Sequence, residues 1–234
     1  MSTPSFVILQ CSDRNCRFRF PKVDEQPNLI NCPQCGMPAL VAVAPFFSQP
    51  PRIASDNRSR YQLNAIFDNV RSAYNVGSMI RTASAVGAGH LYLCGITPTP
   101  EHPKVVKTSL GAEQNISWSQ HYNSIDVVSR LQSEGHNIIA FEGTSQSHWL
   151  TDFVPKGPAT PVTVIVGNEL SGVDPALLEM CDQVFALPML GEKTSLNVTV
   201  AFGIAAYYLR FLPLTATTPS KATDNLGLEE PDAG

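Results

Sequence analysis

The sequence predicts an α/β protein with a mainly parallel sheet and a small cysteine-rich domain before it. Strand-like and helix-like segments alternate between residues 61 and 213, a pattern that favours strands joined by crossover helices. Four of the six cysteines fall within the first 35 residues, and so short a segment needs a metal or disulfides in order to fold. A chain of 234 residues suits one ordinary domain with such an appendage.

A polar stretch separates the two regions. Residues 46–60 are rich in Pro, Ser, Asn and Arg, which is typical of a linker. We therefore predict a cysteine-rich domain over residues 1–45 and a main domain over residues 61–213. The remaining residues, 214–234, are polar and acidic and contain Pro and Gly, so we expect a disordered tail.

The elements of the main domain follow from apolar periodicity and from turn residues. Short apolar runs bounded by polar residues, Gly or Pro predict strands at residues 63–67, 90–94, 137–141, 162–166 and 184–187. Helices are predicted at residues 75–88, 124–134, 174–181 and 196–211. In the first helix Val76, Met79, Ile80 and Ala83 follow the i, i+3, i+4, i+7 spacing, and Asn75 is its expected N-cap.

The last predicted helix, over residues 196–211, is apolar on most of its sides. Such a helix is either buried or packed against another subunit. It falls short of the roughly 20 apolar residues that a membrane span needs. Residues 1–11 have no basic region and only a four-residue apolar run, unlike a signal peptide. We expect no membrane association and a cytoplasmic, reducing location.

The cysteine-rich segment has the spacing of a zinc site. Cys11-x4-Cys16 and Cys32-x2-Cys35 are separated by 15 residues, and Gly36 follows the second pair. Zn²⁺ prefers four tetrahedral ligands, and four thiolates leave no position for water, so the predicted zinc is structural. Two disulfides and four unrelated thiols are the alternatives. A reducing compartment disfavours the first, and the Cys-Pro-x-Cys-Gly turn disfavours the second.

Basic and aromatic side chains alternate between the two cysteine pairs. They are Arg17, Phe18, Arg19, Phe20 and Lys22, and a further basic residue, Arg14, lies within the first pair. This combination suits contacts with the backbone and bases of RNA. The sequence equally allows the phenylalanines to form a small core while the basic side chains are simply solvated.

The net charge of −4 is unusual for a nucleic-acid-binding protein, but it is unevenly distributed. Residues 1–110 hold 11 Lys and Arg against 6 Asp and Glu, a net of +5, whereas residues 111–234 hold 5 against 14, a net of −9. This asymmetry favours a polyanionic partner for the first half of the chain. Chance solvation of the surface is the alternative.

Familiar cofactor motifs are absent from the sequence. No G-x-G-x-x-G follows a predicted strand, and Gly167 and Gly172 have the spacing of a P-loop but are followed by Val173 instead of lysine. Neither a nucleophile elbow nor an H-E-x-x-H zinc motif is present. The sequence therefore disfavours a dehydrogenase, an NTPase and a hydrolase.

Three segments carry polar residues at the ends of predicted elements. They are residues 75–83 (NVGSMIRTA), 164–173 (VIVGNELSGV) and 187–198 (LPMLGEKTSLNV). The second and third include the carboxyl ends of predicted strands, which is where α/β sheets bind ligands. The third ends at a helix start, where free backbone N–H groups favour polar or anionic groups.

In this order, the three segments resemble the SpoU (TrmH-type) RNA ribose 2′-O-methyltransferases of the SPOUT superfamily. Residues 107–113 (KTSLGAE) are similar to the stretch that follows the first segment there, and the resemblance covers residues 62–212. It implies an α/β fold with a C-terminal trefoil knot, S-adenosylmethionine as the methyl donor, tRNA or rRNA as the substrate, and a homodimer. Dimerisation through the knotted region would account for the apolar last helix.

The resemblance also implies roles for single residues. Asn75 and Arg81 correspond to a pair near the acceptor ribose, Glu169 to the acid of the second segment, and Ser195 and Asn197 to the polar pair of the third. Because a guanidinium is hard to deprotonate, we expect Arg81 to stabilise the developing alkoxide and to hold the adjacent phosphate. The cofactor-binding residues implied are Gly143, Thr144, Gly167, Asn168, Glu169, Leu187, Met189, Ser195 and Leu196.

Two other functions fit the same fold. A non-catalytic RNA-binding or ribosome-assembly factor would have no need for the five catalytic candidates together. A base methyltransferase of the same superfamily is the second, although the pair Asn75 and Arg81 favours ribose. Asn75 and Ser195 could also serve only as helix caps.

Overall fold

The computed structural model describes residues 5–23, 30–47, 62–154, 156–157 and 160–211. The chain forms two compact units, Met1–Ser55 and Asp56–Gly234. The division falls within the predicted linker, 46–60. Most of that linker and the whole predicted tail, 214–234, lie outside the described residues.

The first unit is an antiparallel sheet of four strands, β1 (Ser5–Cys11), β2 (Arg19–Val23), β3 (Ile30–Asn31) and β4 (Pro38–Phe47). Their order is β2-β1-β4-β3. Two similar turns hold the cysteine pairs: the N–H of Cys11 donates to the carbonyl of Phe18 at 2.8 Å, and that of Cys32 to the carbonyl of Met37 at 2.7 Å. The first turn is two residues longer, which accommodates the wider spacing of its cysteines.

The second unit contains a sheet in which all neighbouring strands are parallel. Its strands are β5 (Leu63–Asp68), β6 (His90–Cys94), β7 (Ser117–His121), β8 (Asn137–Phe141), β9 (His148–Trp149), β10 (Val162–Val166) and β11 (Gln183–Ala186). Their order is β7-β6-β5-β10-β8-β11-β9. The predicted α/β class with a mainly parallel sheet is confirmed.

Helices cover both faces of this sheet. They are α1 (Ala73–Ala85), α2 (Pro103–Ser109), α3 (Ser124–Ser133), α4 (Pro175–Met180) and α5 (Val198–Phe211). One core includes Met79 of α1 and Phe202 of α5, and the other includes Val128 of α3 and Leu177 of α4. The rings of Phe202 and Phe67 meet edge to face at 5.3 Å, which docks α5 on β5. Because both faces are covered, β5 and β10 are buried along their whole length.

The first helix of this unit begins earlier than predicted. Its N-cap is Ser72, whose hydroxyl accepts the backbone N–H of Asn75 at 3.3 Å. The predicted N-cap role of Asn75 is therefore wrong, since Asn75 already lies within the first turn. Its side chain is consequently available to a partner outside the helix.

The last helix begins two residues later than predicted. Its first turn is capped by Asn197, whose Oδ1 accepts the N–H of Thr199 at 2.8 Å and whose carbonyl accepts that of Val200 at 2.9 Å. Ser195 thus lies before the cap, and its alternative role as a helix cap is wrong. No helix within the described ranges has both the length and the apolar character to cross a membrane.

Candidate active site

A cavity of about 610 Å³ lies at the carboxyl edge of the parallel sheet. The segments that follow β8, β10 and β11 line it, together with the start of α5. Its volume is within the roughly 300–1,000 Å³ that small-molecule sites occupy, and its position is where α/β sheets bind ligands. The residues predicted to hold a cofactor that do line it are Gly143, Gly167, Asn168, Glu169, Leu187, Met189, Ser195 and Leu196.

The loop after β8 forms one wall of the cavity. Gly143 lines it, and a Cβ built on this glycine would meet nothing within 4 Å. Thr144, the ninth predicted cofactor residue, does not line the cavity. Instead its backbone N–H and its hydroxyl lie 3.0 and 2.8 Å from the hydroxyl oxygen of Ser147, which closes the loop on itself.

The loop after β10 is held tightly. Asn168 and Gly172 exchange backbone hydrogen bonds of 3.0 and 2.9 Å. A Cβ at Gly167 would lie 2.3 Å from the carbonyl oxygen of Gly172, so only glycine fits there. The amide Nδ2 of Asn168 donates to the carbonyl of Asn69 at 2.7 Å, which ties the loop to the end of β5. The loop therefore presents Glu169 from a fixed backbone.

Glu169 connects this loop to the start of α1. Its carboxylate accepts the N–H groups of Arg71 at 2.9 Å and Ser72 at 3.0 Å, and the Nδ2 of Asn75 at 2.8 Å. Partial burial raises the pKa of Glu169, but these donors outweigh burial and hold the pKa below its usual value. The positive end of α1 also favours the charged carboxylate. Asn75 and Glu169, taken from two separate sequence segments, are thus in direct contact.

We expect Glu169→Gln to destabilise the second unit by about 1–3 kcal/mol, because the glutamine Nε2 cannot accept and leaves a donor unpaired. Since the pKa of Glu169 is lowered by folding, its contribution is present above the unfolded-state pKa of about 4.3 and is lost as the pH falls through the folded-state value. Thermal unfolding from neutral to acidic pH measures this.

Near pH 7 the wild type should unfold at a higher temperature than Glu169→Gln. The difference between their unfolding temperatures should become smaller as the pH falls. Glu192→Gln is the matched control, because Glu192 is an exposed carboxylate of the same unit that does not line the cavity. Equal unfolding temperatures for wild type and Glu169→Gln at pH 7 would show that the three hydrogen bonds contribute nothing.

The cavity carries negative charge. Two carboxylates, Glu142 and Glu169, line it, and no Lys, Arg or His is among the lining residues that the structure describes. Glu142 is not among the predicted site residues, although an acid directly after a predicted strand was a usable signal. Its carboxylate accepts the N–H of Gly143 at 3.0 Å and that of Val173 at 2.9 Å, and so links two cavity loops. The cavity therefore favours a cationic ligand over one that carries phosphates.

The three remaining catalytic candidates, Ser195, Asn197 and Arg81, do not all lie at the cavity. Ser195 and Asn197 line the cavity. Arg81 does not: it lies on α1 six residues after Asn75, about 9 Å further along the helix axis. It is exposed, and none of the described residues forms a hydrogen bond or ion pair with its side chain. Its guanidinium is therefore available to an external anion.

The four cysteines of the first unit converge. Their Sγ atoms all lie within 4.8 Å of one another, with Cys11 and Cys35 at 3.4 Å and Cys16 and Cys32 at 3.8 Å. A tetrahedral zinc with Zn–S bonds of about 2.3 Å separates its sulfurs by about 3.8 Å. A disulfide needs about 2.05 Å, and all six cysteines are free thiols. The sulfur positions therefore favour a metal site over the alternative of two disulfides.

The sheet, its cavity and the polar residues around it define an α/β protein with a ligand site at the carboxyl edge of parallel strands. The sequence profile of the SpoU rRNA Methylase family matches residues 62–207, and the chain belongs to that family. An uncharacterized tRNA/rRNA methyltransferase of Synechocystis sp. is 27% identical over 185 residues, covering 79% of this chain and 63% of the relative. The tRNA (guanosine(18)-2′-O)-methyltransferase of Aquifex aeolicus is 30% identical over 146 residues, covering 60% and 64%.

Solved structures agree with this assignment. An AdoMet-bound rRNA methyltransferase from Sinorhizobium meliloti is similar with a TM-score of 0.60 and 27% identity, covering 64% of this chain and 56% of that one. The resemblance inferred from the sequence motifs is thus confirmed, as is the SPOUT-type α/β fold class. The chain spans less than two thirds of the length of each of these three relatives.

Proposed function

We propose that the protein is an S-adenosylmethionine-dependent RNA methyltransferase that methylates a ribose 2′-hydroxyl in tRNA or rRNA. The observation that carries this proposal is the negatively charged cavity at the carboxyl edge of the sheet, built from the segments that resemble the family motifs. The name of the Aquifex relative, which specifies 2′-O-methylation of a tRNA guanosine, supports it. So does the AdoMet-bound neighbour.

The residues present fit S-adenosylmethionine. When bound, this cofactor supplies an electrophilic methyl group on a positively charged sulfonium. Glu142 and Glu169 give the cavity a complementary charge, and Leu187, Met189 and Leu196 give it apolar walls. The open space in front of Gly143 leaves room for a ligand. The residues that would hold the cofactor are Gly143, Gly167, Asn168, Glu169, Leu187, Met189, Ser195 and Leu196.

Methylation would form a bond between the ribose 2′-oxygen and the methyl carbon and break the carbon–sulfur bond, so that the sulfur would leave as a neutral thioether and the hydroxyl proton would pass to water. We assign Arg81 to the developing alkoxide and the adjacent phosphate, where a charged planar donor is most effective. Glu169 fixes the amide of Asn75 at 2.8 Å, and Ser195 and Asn197 face the cavity. Most of the rate gain would come from holding the reacting atoms in line.

Incubation with labelled S-adenosylmethionine and total tRNA or rRNA tests the proposal. Transfer of label to the ribose is the expected result. A labelled base would show a base methyltransferase instead. RNA binding with neither cofactor binding nor transfer would show the non-catalytic RNA-binding or ribosome-assembly factor.

We propose that the first unit is a zinc ribbon whose ligands are Cys11, Cys16, Cys32 and Cys35, and that it helps to dock RNA. Four thiolates make a closed structural site. Phe18 is 40% exposed, which supports RNA contact by this side chain over a place in a small core, whereas Phe20 is half-buried. A cytoplasmic location is part of the same proposal, since a thiolate cluster and an RNA substrate both suit it.

We propose a homodimer formed through α5 and the region that the family resemblance implies to be knotted. Val200, Ile204, Tyr207 and Phe211 are exposed large apolar side chains at i, i+4, i+7 and i+11 along α5. This spacing places them in one stripe on the helix surface. A contiguous exposed apolar stripe is typical of a protein interface.

Ile204→Glu places a charge in the middle of this stripe and is expected to convert the dimer into a folded monomer, because an unpaired charge in an apolar interface is strongly unfavourable. Light scattering after size-exclusion chromatography measures the mass. Val106→Glu, at an exposed apolar residue of α2, is the control and should leave the dimer intact. A wild-type protein that is monomeric at all concentrations would overturn the proposal.

A further inference from the structure

We propose that Arg71, Tyr74, Lys104 and Lys107 form an RNA-contact surface beside the cavity, which we call the α1–α2 surface. In it Tyr74 stacks on a nucleobase, while the three cations contact backbone phosphates. This inference rests on the proposed RNA methyltransferase function and adds the surface that positions the substrate strand.

The surface adjoins the active-site residues. Tyr74 precedes Asn75, whose Nδ2 donates to the carboxylate of Glu169 at 2.8 Å. The backbone N–H of Arg71 donates to the same carboxylate at 2.9 Å. Tyr74 therefore lies within the short segment that grips a cavity-lining residue, yet its side chain is 47% exposed. About half of this aromatic residue is therefore accessible to an external partner.

The backbone under this surface is rigid because α1 and α2 approach closely. A Cβ at Gly77 would lie 2.0 Å from Oγ1 of Thr108 and 2.4 Å from the carbonyl oxygen of Val105, so the two helices can meet only at a glycine. The hydroxyl of Thr108 also donates to the carbonyl of Tyr74 at 3.2 Å. The exposed side chains thus project from a preorganised base, which lowers the entropic cost of binding.

The surface carries positive charge. The ammonium of Lys104 lies 5.7 Å from the centroid of the Tyr74 ring. Lys107 follows almost one turn later on α2, and this helix contains two lysines and no acidic residue. Both lysines are exposed, and neither forms an ion pair with any residue that the structure describes. Their charges are therefore available to an anion.

An exposed aromatic ring flanked by cations is the chemistry of single-stranded nucleic-acid binding. Bases stack on the ring, and the cations neutralise phosphates along the strand. An acidic peptide would engage the lysines but would leave the ring of Tyr74 without a planar partner. The ribose proposed to react at the neighbouring cavity belongs to the same kind of polymer, so we assign the surface to RNA.

Fluorescence anisotropy with labelled single-stranded RNA and with tRNA, over a range of salt concentrations, tests the surface in the full-length protein. The double variant Lys104→Ala/Lys107→Ala should bind single-stranded RNA more weakly, and the slope of log K against log salt should fall by about 1.4 in magnitude, because two phosphate contacts are lost. Tyr74→Ala should lose about 5- to 150-fold in affinity with an unchanged slope. Tyr74→Phe should retain the affinity.

Arg130→Ala is the matched control. Arg130, on α3, lies 5.6 Å from the centroid of the ring of Tyr92, on β6. Helix α3 packs on the face of the sheet opposite α1. Arg130 repeats the pairing of a cation with a tyrosine away from the proposed surface, and its loss should leave the affinity and the slope unchanged. Cofactor binding, measured by calorimetry, should be the same in all these variants and confirms that they are folded.

The outcomes separate this inference from the function on which it rests. If the wild type methylates RNA and the Tyr74 and lysine variants keep its affinity and slope, the α1–α2 surface is wrong and the proposed function stands. If RNA binding depends on Tyr74 and the lysines but no methyl group is transferred, the proposed function is wrong and the surface stands. If polyglutamate displaced the labelled RNA as well as unlabelled RNA does, the surface would bind any polyanion, and the proposal of an RNA-contact surface would be overturned.

Discussion

Arg81→Ala is expected to lower methyl transfer by about 10²–10³-fold while leaving S-adenosylmethionine binding unchanged. Removing a single donor that stabilises a developing oxyanion has effects of this size. We expect the transfer rate to change without the cofactor affinity, because Arg81 is exposed on α1 and does not line the cavity. Single-turnover transfer rates and calorimetric cofactor affinities measure them independently.

Arg81→Lys refines this prediction. It keeps the positive charge but loses the planar fork that holds a phosphate or an alkoxide through two hydrogen bonds. We expect an intermediate rate. Arg130→Ala should retain the full rate and controls for the loss of an exposed arginine. Wild-type transfer by Arg81→Ala would remove Arg81 from the catalytic residues, and lost cofactor affinity would place it in the cofactor site.

Cys32→Ser is expected to unfold the first unit and leave the second unit folded. The apolar core of the first unit is very small: apart from Cys11 and Cys32, its buried apolar side chains are Val7 and Leu9 among the residues described. So little buried surface cannot offset the conformational entropy of ordering the sheet. A structural zinc supplies about 10–16 kcal/mol in comparable small domains.

Metal analysis and limited proteolysis measure this effect. The wild type should contain about one zinc per chain and resist cleavage, whereas Cys32→Ser should lack zinc and be cleaved within the first unit. Cys181→Ser is the matched control, because Cys181 lies on the second unit at the end of α4 and should not affect zinc content. A metal-free wild type with a protease-resistant first unit would contradict the zinc proposal.

The central strands were predictable because a strand that is buried on both faces has a continuous run of apolar residues. Residues 162–166 form a β-branched run between Pro161 and Gly167, and β10 has the same bounds in the structure. The edge strands β7 and β9 left no such signal. β7, SWSQH, has only one neighbouring strand and no fully buried residue, so its sequence lacks a continuous apolar run.

The candidate site was predictable in its residues more than in its contacts. The motif resemblance predicts Asn75 and Glu169 as site residues, whereas the local sequence also predicts Asn75 as the cap, because Asn and Ser are both favourable N-caps. In the structure the side chain of Asn75 contacts Glu169, 94 positions further along the chain, and does not cap the helix. No local sequence pattern indicates a contact at this separation. Glu142 directly follows a predicted strand, which was a local signal, but its link to the N–H of Val173 in another loop has no local signature.

Nucleoside analysis of RNA after incubation with the protein and isotopically labelled S-adenosylmethionine tests the central claim most directly. Alkaline hydrolysis needs a free 2′-hydroxyl, so a 2′-O-methylated nucleotide remains in an alkali-resistant dinucleotide. We predict that the label appears in such a dinucleotide and in a 2′-O-methylated nucleoside. Label confined to bases, or no transfer to any tRNA or rRNA by a protein that binds the cofactor, would contradict the claim.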